Sequence, residues 1–468
     1  LAFGFELNQN RKEATELKGR PMTQNYLENL AAERSETAIT DYKPRFTDLQ
    51  AVAEANRCLY CHDAPCIQVC PTEINIPEFI HRIASGNLKG SARTILDSNI
   101  LGLSCASVCP VEVLCVGSCV YNHMQIKPIE IGRLQRYATE YAYEKGIQFY
   151  KKGPDTGKKV ALIGAGPASL ACAAQLAIMG HSPVIFERHA LPGGLNTTGV
   201  APYKLRADTS LREVAYIQEI GVEIRTGIAV GNDVSFADLE AQYDAIFIGA
   251  GLGPDSFLDV PGEDKEGVFG ALEVIEALKL SQFPAEKYPN AVVVGGGNTA
   301  LDVVRELRKL GVPNVTMVYR RGEAQMSGYA HEMAAARQEG VQFQFLALPV
   351  EYVGEGHVSA VRCVKMALGE PDASGRRSPE PVAGSEFELP ANLVALATGQ
   401  GKLTELFGKI SQLELNRGRV VVNAVGQTGN PKYFAGGDCV NGGKEVVNAA
   451  AEGKHAAFGI DAYLKEGN

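Results

Sequence analysis

The feature that most constrains this chain is a run of cysteines, Cys58-Leu-Tyr-Cys61-His-Asp-Ala-Pro-Cys66-Ile-Gln-Val-Cys70-Pro71. It is answered by Cys105-Ala-Ser-Val-Cys109-Pro110-Val-Glu-Val-Leu-Cys115-Val-Gly-Ser-Cys119. Eight of the eleven cysteines fall in these two runs. Three cysteines in C-x2-C-x4-C spacing wrap one iron–sulfur cube, and a fourth followed by proline reaches over to a second cube. Two such runs predict two clusters that exchange ligands. Zinc would want two C-x2-C knuckles, which the x4, x3 and x5 spacings fit poorly. Disulfides would need an oxidising compartment, and no secretory leader is expected ahead of the cysteines. Thiolates that hold iron place the chain in a reducing cytoplasm.

The rest of the chain reads as compact α/β structure. At 468 residues, 45% apolar with 50 glycines, it should hold about three domains. A net charge of −9, with no long basic stretch, excludes a nucleic-acid surface. No apolar run is long enough for a membrane span. Residues 1–50 are polar, contain Pro21 and Pro44, and read as an extended or loosely attached arm. A helical pattern from Asp48 delivers Cys58 at its end. Ile76, Phe79, Ile80 and Ile83 recur at helical spacing, a second helix is expected from Leu88 to Asp97, and Ile131, Leu134, Ala138 and Tyr141 mark one face of a third. The expected divisions are 1–154 for the arm and helical iron–sulfur domain, 155–285, 286–400 and 401–468.

After the linker comes Lys159-Val-Ala-Leu-Ile-Gly164-Ala165-Gly166-Pro167-Ala168-Ser169, a buried strand feeding a glycine turn and a helix. Glu187 ends the next strand. The glycines let the backbone approach a pyrophosphate at the helix N-terminus, and the acid accepts ribose hydroxyls. Ser169 replaces the usual third glycine or alanine. Gly193 and Gly194, soon after Glu187, point to a flavin. A second fingerprint follows at Gly295, Gly296, Gly297, Asn298 and Thr299. Its next strand ends at Arg320 and Arg321, where an acid would suit NAD and a guanidinium suits a 2′-phosphate. Gly436, Gly437 and Asp438, following Tyr433-Phe-Ala, read as the strand and acid that close the flavin site. The fold class is α/β: a helical iron–sulfur domain, then two Rossmann-like domains, with the NAD(P)H domain inserted in the FAD domain.

These residues resemble the iron–sulfur flavoprotein subunits of bacterial dihydropyrimidine dehydrogenase and the matching half of the single-chain eukaryotic enzyme, over about residues 45–468. The resemblance is carried by Cys-Leu-Tyr-Cys-His-Asp-Ala-Pro-Cys, Leu101-Gly-Leu-Ser-Cys-Ala-Ser-Val-Cys-Pro, Ile131-Gly-Arg-Leu-Gln-Arg-Tyr-Ala-Thr139, Gly-Ala-Gly-Pro-Ala-Ser and Ala-Gly-Gly-Asp. The glutamate synthase small subunit shares the layout and is the near alternative. The resemblance implies that Cys58, Cys61, Cys66 and Cys119 hold one [4Fe-4S] cluster. It gives the second Cys70, Cys109, Cys115 and Gln135, whereas the spacing alone would take Cys105 as the eighth ligand. Glutamate synthase small subunits usually carry glutamate at the Gln135 position, which favours the pyrimidine reading. For FAD the resemblance gives Gly164, Ala165, Gly166, Pro167, Ala168, Glu187, Gly194, Leu195, Lys204, Gly437 and Asp438. Lys204 stands where the eukaryotic enzyme has arginine. For NADP(H) it gives Gly296, Gly297, Asn298, Thr299, Arg320 and Arg321. A further arginine of that enzyme falls on Ser327, and bacterial relatives can use NADH, so NAD(H) stays open.

The implied chemistry is hydride transfer from NAD(P)H to the flavin, then single-electron passage through the clusters, with no protein acid or base required. Nothing reads as a pyrimidine-reducing site, so the resemblance implies an FMN and iron–sulfur partner subunit that does that reduction. The alternatives are a glutamate synthase small subunit or related reductase, and a flavoprotein that binds these cofactors without turnover.

Overall fold

The computed structural model describes residues 25–371 and 377–466; the part of the arm before residue 25 lies outside the described residues. The chain forms two compact units. One comprises Asn25–Pro254, Ile275–Phe283 and the chain from Gln400 onward; the other comprises Asp255–Val274 and Pro284–Gly399.

The first unit begins with a segment that is better anchored than its sequence suggests. Tyr26 and Phe46 are buried, and Glu36, fully buried, pairs with Arg34 at 2.9 Å and accepts from the Ala207 amide at 3.0 Å. Residues 25–47 are therefore not a loose lead. Their two short 3-10 turns, Tyr26–Asn29 and Ser35–Ala38, each bury one side chain and leave no period to read. Helix α1 (Asp48–Ala55) opens on a capping box. Thr47 Oγ1 accepts from the Gln50 amide at 3.3 Å, and Gln50 Oε1 accepts from the Thr47 amide at 3.0 Å. Helices α2 (Pro65–Gln68), α3 (Ile76–Ala84), α4 (Leu88–Ser98), α5 (Gly102–Val108) and α6 (Ile131–Glu144) follow. Ile76, Phe79, Ile80 and Ile83 of α3 meet Ile131, Leu134 and Ala138 of α6 in one core. Cysteines 58, 66, 70, 115 and 119 lie in or against that core.

A parallel sheet continues this unit: β1 (Lys159–Ile163), α7 (Pro167–Ile178), β2 (Ser182–Glu187), α8 (Leu195–Thr198), α9 (Ala207–Glu219), β3 (Glu223–Thr226), α10 (Phe236–Gln242) and β4 (Ala245–Ile248). The strand Tyr433–Ala435, nearly two hundred residues later, adds beside β4, giving the order Tyr433–Ala435, β4, β1, β2, β3. The C-terminal helix Val446–Lys465 packs on α7. The chain leaves this fold and returns to it, the topology of an inserted domain.

The second unit holds another five-stranded parallel sheet. Its strands are β5 (Val268–Gly270), β6 (Asn290–Val294), β7 (Asn314–Tyr319), β8 (Gln342–Phe345) and, after an antiparallel insertion, β13 (Leu393–Leu396). The order is β5, β13, β6, β7, β8. The insertion contains β9 (Ala347–Val353), β10 (Ala360–Pro371), β11 (Arg377–Pro381) and β12 (Phe387–Pro390), with β10 pairing antiparallel to the other three. Because β5 pairs in parallel with β13, Val268 against Val394, this unit starts well before the expected division at 285/286. The expected division at 154/155 falls inside the first unit.

Candidate redox-cofactor sites

α1 ends at Ala55, and the Cys58 amide bonds back to its carbonyl at 3.1 Å, so the helix hands the chain directly to the first thiol. Cys58, Cys61, Cys66 and Cys119 line one small apolar cavity of about 30 Å³, walled by Ile76, Ile80, Ile129 and Ile131. Burial, helped by the nearby Cys58 and Cys119 sulfurs, pushes the Cys66 thiol up to about 12. Burial also raises Cys58. Neutral thiols crowded in apolar surroundings become good ligands once a cation displaces their protons. Among the described residues, no set of three His, Cys, Asp or Glu side chains converges on a single-ion position. Four thiols around a cavity fit a multi-iron cube better than one zinc.

A second group gathers Cys105, Cys109, Cys70 and Cys115 around Val111 and Val447. A hydrogen bond with the Cys105 thiol and burial both drive Cys109 well above its ordinary value. Burial does the same to Cys115, aided by Cys109 and Cys70. Gln135, buried on α6, donates from its amide nitrogen to the Gly102 carbonyl at 2.7 Å. That bond fixes which end of the amide carries the oxygen. Gly102 opens α5, the helix that carries Cys105, so both candidates for the eighth ligand belong to this neighbourhood.

At the flavin fingerprint, Gly164 has φ +88°, and a Cβ there would meet the Gly249 carbonyl oxygen at 2.7 Å. Gly166 caps α7 and Pro167 takes its first position. Gly194 (φ +56°) touches Gly166 so closely that a Cβ would lie 2.8 Å from its Cα. The Ala165 carbonyl accepts from the Gly193 amide at 2.9 Å. Glu187 ends β2 with Oε2 accepting from the Ala165 amide at 2.7 Å and Oε1 from the His189 amide at 2.8 Å. Each oxygen keeps a lone pair for a sugar hydroxyl. Ala168 packs against Gly437, where a Cβ would lie 3.0 Å from that of Ala168. Asp438 follows, its carboxyl raised by burial. Leu195 opens α8, and Lys204 lies 5.4 Å over the Tyr203 ring. The Ser169 hydroxyl is buried without a hydrogen-bond partner among the described residues. It presses on Gly249, whose added Cβ would come within 2.1 Å. The backbone cradle, the acid and the open lone pairs fit a dinucleotide.

In the second unit, β6 runs into Gly295, Gly296 and Gly297, and α12 (Asn298–Lys309, counting the helix Ala271–Leu280 as α11) opens on Gly297. The Tyr319 ring covers Gly296, where a Cβ would come within 2.3 Å of it. Asn298 Oδ1 accepts from the Tyr329 amide at 2.9 Å, while Thr299 follows it in the first turn. Ser327 folds onto the glycine turn, its amide donating to the Gly296 carbonyl at 3.1 Å. Arg320 is exposed and Arg321 half-buried at the end of β7. Arg321 Nε is buried with no hydrogen-bond partner, and no carboxylate pairs with either guanidinium among the described residues.

Two family descriptions match the chain. "Dihydropyrimidine dehydrogenase domain II, 4Fe-4S cluster" covers residues 34–147, and "pyridine nucleotide-disulphide oxidoreductase" covers residues 158–453. The chain is an iron–sulfur member of the pyridine nucleotide-disulphide oxidoreductase family. The glutamate synthase [NADPH] small chain of Escherichia coli is 39% identical over 91% of this chain and 93% of its own length. The NAD-dependent dihydropyrimidine dehydrogenase subunit PreT of the same organism is 34% identical over 94% and 98%. In fold, this oxidoreductase resembles Mycobacterium tuberculosis FprA in complex with NADPH, with TM-score 0.55 and 22% identity over 67% of this chain and 85% of that one. The Lactococcus lactis thioredoxin reductase gives 0.52 and 20% over 66% and 99%.

As a member of this family, the chain is an NAD(P)H-dependent oxidoreductase with FAD and 4Fe-4S iron–sulfur chemistry. Among its described residues, no helix is long and apolar enough to cross a membrane. Two buried titratable side chains were not legible in the sequence, Lys279 against the expected flavin strip and Glu213 against α5. Lys279, fully buried, donates to the carbonyls of Asn196 at 3.0 Å, Val200 at 2.8 Å and Leu205 at 2.6 Å. Glu213 accepts from the Leu103 amide at 2.9 Å and the Ser104 amide at 3.1 Å. Each sits alone in an ordinary helical pattern, so no motif marks it.

Proposed function

We propose that this chain is the electron-input subunit of a dihydropyrimidine dehydrogenase, taking hydride from NAD(P)H and delivering electrons to an FMN-bearing, pyrimidine-reducing partner. Cys58, Cys61, Cys66 and Cys119 hold one [4Fe-4S] cluster in this reading, and Cys70, Cys109, Cys115 and Gln135 a second. The supporting observation is the Gln135 amide. Its nitrogen donates to Gly102, so an ionised glutamate at this position would set an acceptor against an acceptor. That single bond supports a neutral side chain here, the one that the pyrimidine-type resemblance carries.

When bound, FAD accepts the hydride and the clusters accept single electrons. The chain's own residues bind and orient. The turn from Gly164 through Ala168 takes the pyrophosphate on α7, and Glu187 takes the ribose hydroxyls. Gly194, Leu195, Lys204, Gly437 and Asp438 line the rest of the flavin. Gly296, Gly297, Asn298 and Thr299 receive the second pyrophosphate, and Arg320 and Arg321 pair with a 2′-phosphate. Guanidiniums without a protein partner favour NADP(H) over NAD(H).

A second reading, the glutamate synthase small subunit, is favoured by 39% identity over 91% of the chain. Anaerobic capture of this chain from its native host, with mass spectrometry of what accompanies it, separates the two. An FMN-binding pyrimidine-reducing subunit supports the first reading. A large amidotransferase-type subunit would overturn it in favour of the second.

A further inference from the structure

The segment Asp41-Tyr42-Lys43-Pro44 is a wedge between two strips that matter. The Tyr42 amide donates to the Tyr203 carbonyl at 3.1 Å, and the two rings meet edge-on with centroids 5.5 Å apart. On its other side, the Tyr42 hydroxyl donates to the Ser107 carbonyl at 3.3 Å. Lys43 lies over the Tyr42 ring, 4.9 Å from its centroid, and its ammonium donates to the Cys109 carbonyl at 3.1 Å. The titratable groups that face it are Glu112, Cys109, Cys115 and Lys204. The wedge is clamped from α6: Arg136, next to Gln135, pairs with Asp41 and donates to the Lys43 carbonyl at 2.8 Å, and Arg133 donates to the Pro44 carbonyl at 2.9 Å. Tyr203 immediately precedes Lys204 of the flavin strip. Lys43 is thus a partly buried cation held by both its backbone and its side chain.

We propose that Lys43 sets the reduction potential of the second cluster, with the Tyr42–Tyr203 contact fixing it between that cluster and the flavin strip. A cluster becomes more negative by one charge on reduction, and its potential follows the net charge, hydrogen bonding and solvent exposure around it. A cation hydrogen-bonded to a ligand's backbone and partly withdrawn from water favours the reduced form more than a surface lysine does. The carbonyl that Lys43 engages belongs to Cys109, so its charge is tied to a ligand backbone rather than to a mobile side chain. The role is that of a positioning residue, and it rests on the ligand reading given above.

The test is anaerobic potentiometric titration of the full chain, followed by electron paramagnetic resonance, for wild type, Lys43→Arg, Lys43→Met and Lys43→Gln, with iron analysis of each. The expected result is a shift of one cluster to lower potential in Lys43→Met and Lys43→Gln. At the poise that half-reduces the wild-type cluster, its reduced fraction should fall several-fold, with the other cluster unmoved and Lys43→Arg near wild type. Unchanged potentials, or an equal shift of both clusters, would overturn the inference. So would loss of second-cluster iron from both neutral variants, which makes Lys43 purely structural. A wild-type protein with iron for one cluster only would sink the ligand reading itself, a separate and distinguishable failure.

Discussion

Replacing Arg321 by glutamine should cost the protein its grip on NADPH while leaving NADH almost untouched. The guanidinium is half-buried at the end of β7, with Nε lacking a hydrogen-bond partner and no carboxylate paired to it among the described residues. A site so arranged gains a full charge-assisted contact when a phosphate arrives. Such a bond is worth about 1.5–3 kcal/mol, and every 1.4 kcal/mol or so is tenfold. Arg321→Gln should therefore raise the NADPH KM about ten- to a hundredfold by that arithmetic. Arg320 is exposed, so its contribution is screened, and Arg320→Gln should add only about threefold. Anaerobic steady-state reduction of ferricyanide with each coenzyme reads the ratio directly. Equal loss with NADPH and NADH, or an unchanged ratio in the double variant, would refute the assignment of these arginines to a 2′-phosphate.

Three further outcomes follow from the same geometry. On the proposed ligand sets, Cys119→Ser should remove about half of the bound iron, because it would take a ligand from one cavity and none from the other sulfur group; iron analysis that finds no loss would contradict this. Lys279→Met strands the carbonyls of Asn196, Val200 and Leu205 inside the protein. It should cost about 2–4 kcal/mol, read as a lower thermal midpoint and faster flavin loss, and unchanged flavin retention would speak against a role for Lys279 in holding residues 196–205. Burial pushes Glu213 from 4.5 up to about 7, against the hydrogen bonds from Ser104 and Leu103 that favour its ionised form. The folded state therefore holds this proton more tightly than the unfolded chain. The resulting stability is fully present below about pH 4.5 and is lost as pH rises through about 7, about 3 kcal/mol in all. Glu213→Gln should flatten the thermal midpoint between about pH 5 and 8; an undiminished slope would show that another group titrates there.

The parts of the molecule that were legible in sequence are those with a period or a fixed spacing. Ile76, Phe79, Ile80 and Ile83 are buried together on α3 as their helical spacing predicts. Both glycine turns sit between a buried strand and a helix, and the second nucleotide-binding fold interrupts the first. Residues 25–47 were not legible, because their anchors are single side chains such as Tyr26 and Glu36 fitted into distant elements. The start of the inserted unit was hidden for a related reason. β5 is three residues long, and only its pairing with β13 shows which sheet it joins. The strands β9 to β12 carry no cofactor motif that would mark them in the sequence. Lys43, Lys279 and Glu213 depend on contacts with residues far along the chain, which no local pattern reports.

The most direct test of the account is an anaerobic reductive titration of the purified chain with NADPH, followed by absorbance. FAD takes two electrons and each of two [4Fe-4S] clusters one, so the account predicts uptake of roughly four electrons per chain. Uptake of roughly two electrons, with the flavin bleached and no cluster reduced even by a stronger reductant, would contradict it.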